Sequence, residues 1–549
     1  MALQRKFHRV LRGAALCLGS LALAVPAASA RQGGGAFVFC FEASPEGFDS
    51  ARSFTLSSFN AVTDPLYGRL LGFAPDGVSV APELARAWEA SRDGRQFTFH
   101  LRPGVKWHQT DYFKPSRELN ADDVILSLDR LRRKDHPFNL AYGWSEYPYT
   151  KTYAANIARV EKIDPLTVRV TLEKPDAAFL ANLAMPVSII ISAEYAEQLI
   201  RAGRLADINV KPIGTGPFRF RRYEKDAQIR YEAHPDYYAG RARLDRLVYA
   251  IVRDSATRLQ KLRTGECHLS ISPKPQEIAL VKADPRLKLM ETTGISTGFL
   301  AFNTRKKPLD NADVRRALSL AINRKALFRS VFQGSAREAV GMLPPFTLGH
   351  DEKRKGIAHD PETARALLKK AGVPPGFEIE LWAMPIARSY NPDGRKFAEM
   401  IQADWAKVGI KAKIVTYEWG DYIRRAHAGE HQVVSLGWSS DNGDPDNFLT
   451  PLLSCAIREG SLSRWCHAGF EALLEKGRYE QDAKKRAAIY REMEGILAAE
   501  LPVLPISHGA FAHPMRREVD GYRVTPLGHT SLHGVSLAAP RQTSEPFSP

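Results

Sequence analysis

Polar and apolar residues alternate with a period of two in two early segments, which predicts half-buried β-strands over 96–102 and 166–172. A further apolar strand is predicted to begin at 36–39. Between the alternating segments, apolar residues recur at helical spacing over 124–131, and Asn120 stands where a helix N-cap is expected.

Helical periodicity strengthens after residue 310, where apolar strands also intervene. Helices alternating with apolar strands are typical of an α/β domain. The helices are predicted over 313–332, 360–371, 394–408 and 482–499, and the strands over 378–383, 412–417 and 433–438.

The first thirty residues have the three parts of a cleavable signal peptide. A basic start precedes an apolar run over 13–25, and Ala28-Ser29-Ala30 fits a small-residue cleavage site. An uncleaved anchor is the alternative, but the apolar run falls short of the roughly 20 residues that a spanning helix needs. At the other end, the polar segment 539–549 is predicted to be disordered.

The chain is basic, with a formal net charge of +16. The predicted signal peptide carries four cations and no acidic residue, so its removal leaves +12. The remaining lysines and arginines are dispersed among 61 acidic residues, which argues against a nucleic-acid-binding stripe. A mature chain of roughly 520 residues is too long for one core and predicts two or three domains.

Cys17 lies inside the predicted signal peptide, which leaves four cysteines in an exported chain. The short spacing of Cys455 and Cys466 suggests a local disulfide, and Cys40 would then pair with Cys267 over a long range. Four free thiols are the alternative. A metal site is disfavoured because no C-x-x-C pair is present.

Two patterns resemble catalytic signatures, but their contexts favour a different interpretation. Residues 294–298 satisfy G-x-S-x-G, yet the sequence after them predicts a strand where a nucleophile elbow needs a helix, so a β-turn is favoured. Residues 427–431 satisfy H-x-x-E-H, but Gly429 and the strand-like run from Gln432 predict a helix end with surface histidines.

The segment 441–447 places three carboxylates in seven residues. It does not fit a calcium loop, which needs Gly at its sixth position and Glu at its twelfth. Asp, Asn, Gly and Pro all favour turns, so a plain turn is the simpler interpretation. The segment nevertheless follows the predicted strand 433–438, and loops at strand ends commonly form ligand sites in α/β domains.

The sequence resembles the bacterial extracellular solute-binding proteins of the peptide-binding class (family 5), and within them the dipeptide-binding branch. The resemblance covers essentially the whole mature chain. It is carried by these segments: 44–48, 84–88, 93–108, 120–124, 212–218, 307–310, 381–385 and 437–448. The four mature cysteines also fall where that branch forms two disulfides.

The resemblance implies a two-lobed periplasmic-binding-protein fold of α/β class with an additional inserted domain, three domains around a hinge. Domain I would be assembled from three segments, domain II would be inserted into it, and domain III would be the large C-terminal lobe. The expected boundaries are 31–65, 213–300 and 513–538 for domain I, 66–212 for domain II, and 301–512 for domain III.

The resemblance also implies roles for individual residues in a cleft between the lobes. Asp441 would pair with the α-ammonium of a bound peptide, and Arg388 with its α-carboxylate. Neighbouring residues would contact the peptide backbone: Ser389, Tyr390, Trp438, Ser439, Ser440, and Phe54 and Thr55 from the family's binding loop 52–57. Ser389 replaces a proline of the family, which predicts a looser loop around Arg388; Ser439-Ser440 and the segment 52–57 also depart from the family pattern.

Elementary electrostatics supports these roles, because each end of a buried zwitterionic peptide must meet an opposite charge. Each added residue lengthens an extended peptide by about 3.3–3.6 Å, so a fixed pair of charges would select for length.

The expected function is that of a periplasmic substrate-binding component of an ABC importer, which captures short peptides, with dipeptides favoured, and delivers them to inner-membrane permease subunits. A monomer without a cofactor, metal or catalytic activity is expected. The alternatives are the same fold tuned to longer peptides, glutathione or haem, and an exported peptidase.

Overall fold

The computed structural model describes residues 36–53, 55–142 and 153–538. The predicted signal peptide, Phe54 and the predicted disordered tail lie outside the described residues. Within the described part of the chain, no helix combines the length and apolar character needed to cross a bilayer.

The strands are predominantly short and are numbered in chain order. They are β1 Ala36–Phe41, β2 Leu71–Phe73, β3 Val80–Pro82, β4 Ala85–Ala90, β5 Gln96–Leu101, β6 Ile157–Asp164, β7 Thr167–Leu172, β8 Phe218–Glu224, β9 Gln228–Ala233, β10 Arg246–Ile251, β11 Leu269–Ser270, β12 Leu287–Thr293, β13 Ser296–Phe302, β14 Ala336–Glu338, β15 Phe377–Trp382, β16 Ile410–Val415, β17 Val433–Ser439, β18 Val503–Arg516, β19 Val519–Asp520, β20 Arg523–Val524, β21 Thr530–Ser531 and β22 Ser536–Leu537.

The helices alternate with these strands, most regularly in the second half of the chain. The α-helices are Leu56–Ser58, Asp64–Leu66, Ala121–Arg132, Pro137–Tyr142, Phe179–Leu183, Ala193–Arg201, Ser255–Thr264, Pro275–Ala283, Ala312–Leu320, Arg324–Leu327, Pro361–Lys370, Gly394–Ala406, Trp419–Ala428, Asp446–Leu453, Ala468–Tyr479 and Ala483–Glu500.

A mixed sheet of twelve strands is the framework of the fold, in the order β16-β15-β17-β13-β18-β11-β1-β10-β9-β8, with β12 and β14 also paired to β18. The long strand β18 joins its two parts. Its first residues pair with β13, as in Ala301 opposite Val503, and its last residues pair with β12, as in Leu287 opposite Arg516. A separate four-stranded sheet has the order β4-β5-β7-β6.

The buried apolar side chains divide in the same way. One core combines residues 37–271 with residues 511–535, so the chain returns to it after a long excursion. Two other clusters draw on residues 295–506, together with Leu527. A small fourth cluster surrounds Cys40 and Cys267.

Several local predictions are confirmed. The alternating segments form β5 and β7, and Asn120 caps the helix Ala121–Arg132. The Asn120 side chain accepts a hydrogen bond from the Asp122 N–H, while the Asp123 carboxylate accepts one from the Asn120 N–H, which completes a capping box.

The single helix predicted over 313–332 is wrong, because the structure interrupts it after Leu320. The Asn323 side chain accepts a hydrogen bond from the Ala326 N–H and thereby begins a new helical turn. Its own N–H donates to Asp404 at 2.8 Å, so a tertiary contact holds the break in place.

Both expected disulfides are present. Cys40 is bonded to Cys267, with 227 residues of separation and the Cα atoms 5.7 Å apart. Cys455 is bonded to Cys466, with 11 residues of separation and the Cα atoms 4.8 Å apart. The first disulfide ties β1 to the segment just before β11.

Candidate functional site

A cavity of about 190 Å³ lies where β1, β11, β17 and β18 end or cross. Its lining is largely apolar and aromatic, with a few charged side chains. Its polar and aromatic lining residues include Glu42, Thr55, Ser57, Ser272, Arg388, Ser389, Tyr390, Trp419, Trp438, Ser439, Asp441 and His513.

Arg388 begins a tight turn that ends at Asn391. Two backbone hydrogen bonds close the turn, at 2.9 Å from the Arg388 N–H to the Asn391 carbonyl and at 3.0 Å in the opposite direction. The Ser507 hydroxyl donates to the Tyr390 carbonyl at 2.6 Å and fastens the turn to β18.

Three glycines on adjacent strands make room for this turn. Gly437 on β17 lies under the Tyr390 ring, Gly298 on β13 lies under the Tyr390 carbonyl, and Gly509 on β18 lies against the Ser389 backbone. A Cβ atom at any of the three would overlap the turn, so the turn can rest directly on the sheet only because these positions carry no side chain.

The Arg388 side chain is held by two groups that also line the cavity. Its Nη1 atom forms an ion pair with Glu42 Oε1. Its guanidinium carbon lies 5.2 Å from the centre of the Trp419 ring, a cation–π arrangement. Only 18% of the Arg388 side chain and 13% of the Glu42 side chain are exposed, so the pair is largely desolvated.

Glu42 is further surrounded by groups that favour its ionised form. Burial by itself would raise the pKa of this carboxyl, but Arg388, Arg258 and hydrogen bonds from Ser272 and Ser57 together hold the pKa below its usual value. The Ser57 hydroxyl donates to Glu42 Oε1 at 2.9 Å.

Asp441 begins the acidic turn that follows β17. Its backbone N–H donates to Asn447 Oδ1 at 3.0 Å, and the same oxygen accepts from the indole N–H of Trp438 and the hydroxyl of Ser440, each at 3.3 Å. Asn447 therefore fixes the path of the chain on both sides of Asp441.

Two carboxylates of this turn, Asp444 and Asp446, are paired with arginines. Asp444 accepts two hydrogen bonds from Arg486, at 2.6 and 2.8 Å, and Asp446 lies 3.4 Å from Arg478. Neither aspartate lines the cavity, whereas Asp441 does. Asp444 and Asp446 therefore stabilise the turn, whereas Asp441 contributes to the wall of the cavity.

The structure brings most of the predicted site residues to the same cavity. Arg388 and Asp441 both line it, together with Ser389, Tyr390, Trp438, Ser439 and Thr55. Ser440 does not line it: its hydroxyl is buried and accepts a hydrogen bond from the Gly443 N–H at 2.8 Å, which supports the acidic turn. Phe54 lies outside the described residues.

The catalytic signatures do not form catalytic sites. Ser296 is the first residue of β13 and is fully buried, where an exposed nucleophile elbow would need a helix to follow. The helix Trp419–Ala428 ends at Gly429 in a left-handed conformation, as predicted.

Describing both histidines of that pattern as surface residues is wrong for His431, which is fully buried and bonded through Nε2 to the Leu462 carbonyl at 2.8 Å. Within the described ranges, no three His, Cys, Asp or Glu side chains are placed to hold a metal ion.

Sequence reasoning missed Glu42 and Trp419, the two residues that hold the Arg388 guanidinium. Glu42 directly follows β1, and an acidic residue at a strand end is the same signal that pointed to Asp441. Trp419 begins a helix and carries no comparable signal.

We expect Gly437→Ala to lower both stability and ligand affinity. The added Cβ overlaps the buried Tyr390 ring, and overpacking of this kind costs about 1–3 kcal/mol. Gly495→Ala is the matched control, since a Cβ there meets nothing within 4 Å and a helical alanine should add up to about 1 kcal/mol. Urea unfolding would measure the stability of both variants. An equal change in their free energies of unfolding would contradict the close approach of the turn to the sheet.

Comparison with known proteins shows where similar sequences and this fold recur. Residues 79–460 match the family model of bacterial extracellular solute-binding proteins, family 5 Middle. Di/tripeptide-binding protein 1 of Pseudomonas aeruginosa (strain UCBPP-PA14) is 47% identical over 522 residues, 94% of this chain and 96% of the relative. The dipeptide-binding protein of Escherichia coli (strain K12) is 45% identical over 503 residues, 91% and 94% of the two chains.

A solved structure of a dipeptide-binding protein from Pseudoalteromonas sp. SM9913, in complex with Met-Leu, superposes with a TM-score of 0.88 at 34% identity. It covers 92% of this chain and 100% of the solved one. The chain therefore belongs to the bacterial extracellular solute-binding proteins, family 5. The predicted α/β periplasmic-binding-protein fold with several domains is confirmed.

Proposed function

We propose that this protein is the periplasmic substrate-binding component of an ABC importer and that it captures short peptides, dipeptides above all. The relatives named for dipeptides or di/tripeptides cover nearly the whole chain. In this function Asp441 pairs with the peptide's α-ammonium and Arg388 with its α-carboxylate.

One observation carries the proposal: a carboxylate and a guanidinium of opposite charge line the same cavity. A zwitterionic peptide that leaves water needs an opposite charge at each end. The guanidinium suits a carboxylate because it offers parallel N–H donors, while the carboxylate of Asp441 accepts from an ammonium. Of the three acidic residues in the 441–447 turn, Asp441 is the one that lines the cavity.

The proposed site lies between domains. Domain I would comprise residues 31–65, 213–300 and 513–538, and domain III residues 301–512. Glu42 and Ser272 then belong to domain I, whereas Arg388 and Asp441 belong to domain III. The first core cluster supports placing the C-terminal segment with the first half of the chain, since residues 511–535 pack with residues 37–271. Domain II would then be 66–212. The Arg388–Glu42 ion pair would span the cleft.

This function requires export to the periplasm. Export would follow cleavage of the predicted signal peptide after Ala30, and the mature monomer would deliver its ligand to inner-membrane permease subunits. The ligand would be released unchanged. Incubation with Ala-Ala tests this last point, because release of alanine beyond the amount of protein would indicate a peptidase.

Length selection is the decisive measurement. We expect calorimetry to give the tightest binding for Ala-Ala. The alanine tripeptide and tetrapeptide should bind more weakly by about 30-fold or more, because a charged partner left unpaired in a buried site costs about 2–5 kcal/mol. Glutathione and haem would be included as competitors. Equal affinities for the dipeptide and tripeptide would overturn the fixed-length site, and preferential haem or glutathione binding would replace the peptide ligand.

A further inference from the structure

The Arg388–Glu42 ion pair puts a second negative charge at the end of the site where a peptide carboxylate would bind. We propose that Glu42 is a specificity-determining residue that limits this end to one ligand carboxylate and so discriminates against peptides with an acidic C-terminal residue. This inference rests on the proposed function and deepens it.

The geometry leaves room for one carboxylate beside Glu42. Arg388 donates to Glu42 through Nη1, and no acceptor for its Nε or Nη2 is found among the described residues. Those two nitrogens form one edge of the planar guanidinium, which can donate two parallel hydrogen bonds to a carboxylate. Arg388 can therefore serve Glu42 and a single ligand carboxylate together.

Glu42 cannot simply turn away from an entering anion. Its carboxylate is buried and receives the Ser57 hydroxyl, while Arg258 lies behind it. Arg258 is itself fixed, since its guanidinium donates to the carbonyls of Val252, Arg253 and Ser272 at 2.7–3.1 Å. The negative charge is thus held in place at the wall of the cavity.

Besides Arg388, no lysine or arginine is found among the described residues that line the cavity, and Arg258 is not one of them. The formally charged lining residues within the described part of the chain are Glu42, Arg388 and Asp441, besides the histidines His427 and His513. Burial lowers the pKa of His513 to about 4, so this ring is neutral at pH 7. When a peptide is bound, Arg388 is already shared by two carboxylates, that of Glu42 and that of the peptide C-terminus. An acidic side chain of the ligand near Arg388 would be repelled by both, and like charges in a desolvated site repel strongly.

The test compares Ala-Glu with Ala-Gln, which have the same shape and differ in one charge. For the wild-type protein at pH 7, calorimetry should give a Kd for Ala-Glu at least about tenfold above that for Ala-Gln. Glu42→Gln keeps the shape of the side chain and removes its charge, and it should lower this Kd ratio by at least about tenfold.

Two further variants separate charge from structure. Glu42→Asp keeps the charge and should leave the ratio within about threefold of wild type. Glu494→Gln removes a buried carboxylate that accepts from the Leu343 N–H, outside the cavity, and should leave the ratio unchanged. A purely structural role for Glu42 would change both affinities equally and leave their ratio as it was.

The outcomes distinguish this inference from the proposed function. If the wild-type protein binds Ala-Gln but Glu42→Gln leaves the ratio within twofold, the role of Glu42 is overturned and peptide binding stands. The same holds if Glu42→Asp lowers the ratio as much as Glu42→Gln. If the wild-type protein binds neither peptide, nor Ala-Ala, both proposals fail.

Discussion

Asp441→Asn is expected to weaken Ala-Ala binding by about 30-fold or more, because the peptide ammonium would be buried without its counter-charge at a cost of about 2–5 kcal/mol. The asparagine has nearly the same shape and can still accept a hydrogen bond, so the loss reports the charge. Isothermal calorimetry at low and moderate salt would measure it.

Thermal stability should change little in this variant. The acidic turn is held through Asn447, and by the pairs of Asp444 with Arg486 and of Asp446 with Arg478. Asp421→Asn is the matched control, since Asp421 is an exposed aspartate paired with Arg424 on a helix beside the cavity. It should leave the affinity within about twofold, as exposed ion pairs contribute little. Unchanged affinity in Asp441→Asn would refute the ammonium contact.

Arg388→Gln is expected to weaken Ala-Ala binding by a similar factor and also to destabilise the fold. The peptide carboxylate loses its guanidinium, and Glu42 loses the cation with which it is paired. Removing one partner of a buried ion pair costs about 3–5 kcal/mol, and the lower part of that range is expected here because Arg258 still stabilises the carboxylate.

The stability loss should depend on pH in a defined direction. In the wild-type protein the pKa of Glu42 is lowered, so the ion pair contributes stability above the unfolded-state pKa and loses it as pH falls through the lower folded value. Without Arg388, burial acts against a weaker opposing charge and the pKa of Glu42 rises. The difference between variant and wild type should therefore be largest near pH 7 and narrow toward pH 4.

The double variant Glu42→Gln with Arg388→Gln isolates the pair. Its stability loss should be smaller than the sum of the two single losses, because residues in one ion pair are energetically coupled. Arg424→Gln, at an exposed position, serves as the control for loss of an arginine. Additive losses in urea unfolding would show that Glu42 and Arg388 do not stabilise each other.

Local patterns in the sequence were enough to predict most of the framework. Period-two alternation located β5 and β7, and helical spacing located the helices Pro361–Lys370 and Ala483–Glu500. The break after Leu320 was not predicted, because the contact of Asn323 with Asp404 joins residues 81 positions apart. Periodicity records which face of an element is buried, and it carries no information about such distant partners.

The site could be predicted only in part from the sequence, for the same reason. Asp441 could be suspected from its place after a strand, whereas Arg388 was identified through resemblance alone. The ion pair of Arg388 with Glu42 joins residues 346 positions apart, and the glycines beneath the turn lie on three different strands. Each of these features exists only once the sheet has assembled.

The central position of β18 has a consequence for how the protein forms. In the strand order, β18 stands between β13 and β11, and without it the described strands of the large sheet form two unconnected ladders, with β12 and β14 left unpaired. Yet residues 503–516 follow, in the chain, every other described strand of this sheet. The strands of each part can pair without β18, but the two parts become one sheet only when this C-terminal strand is in place between them.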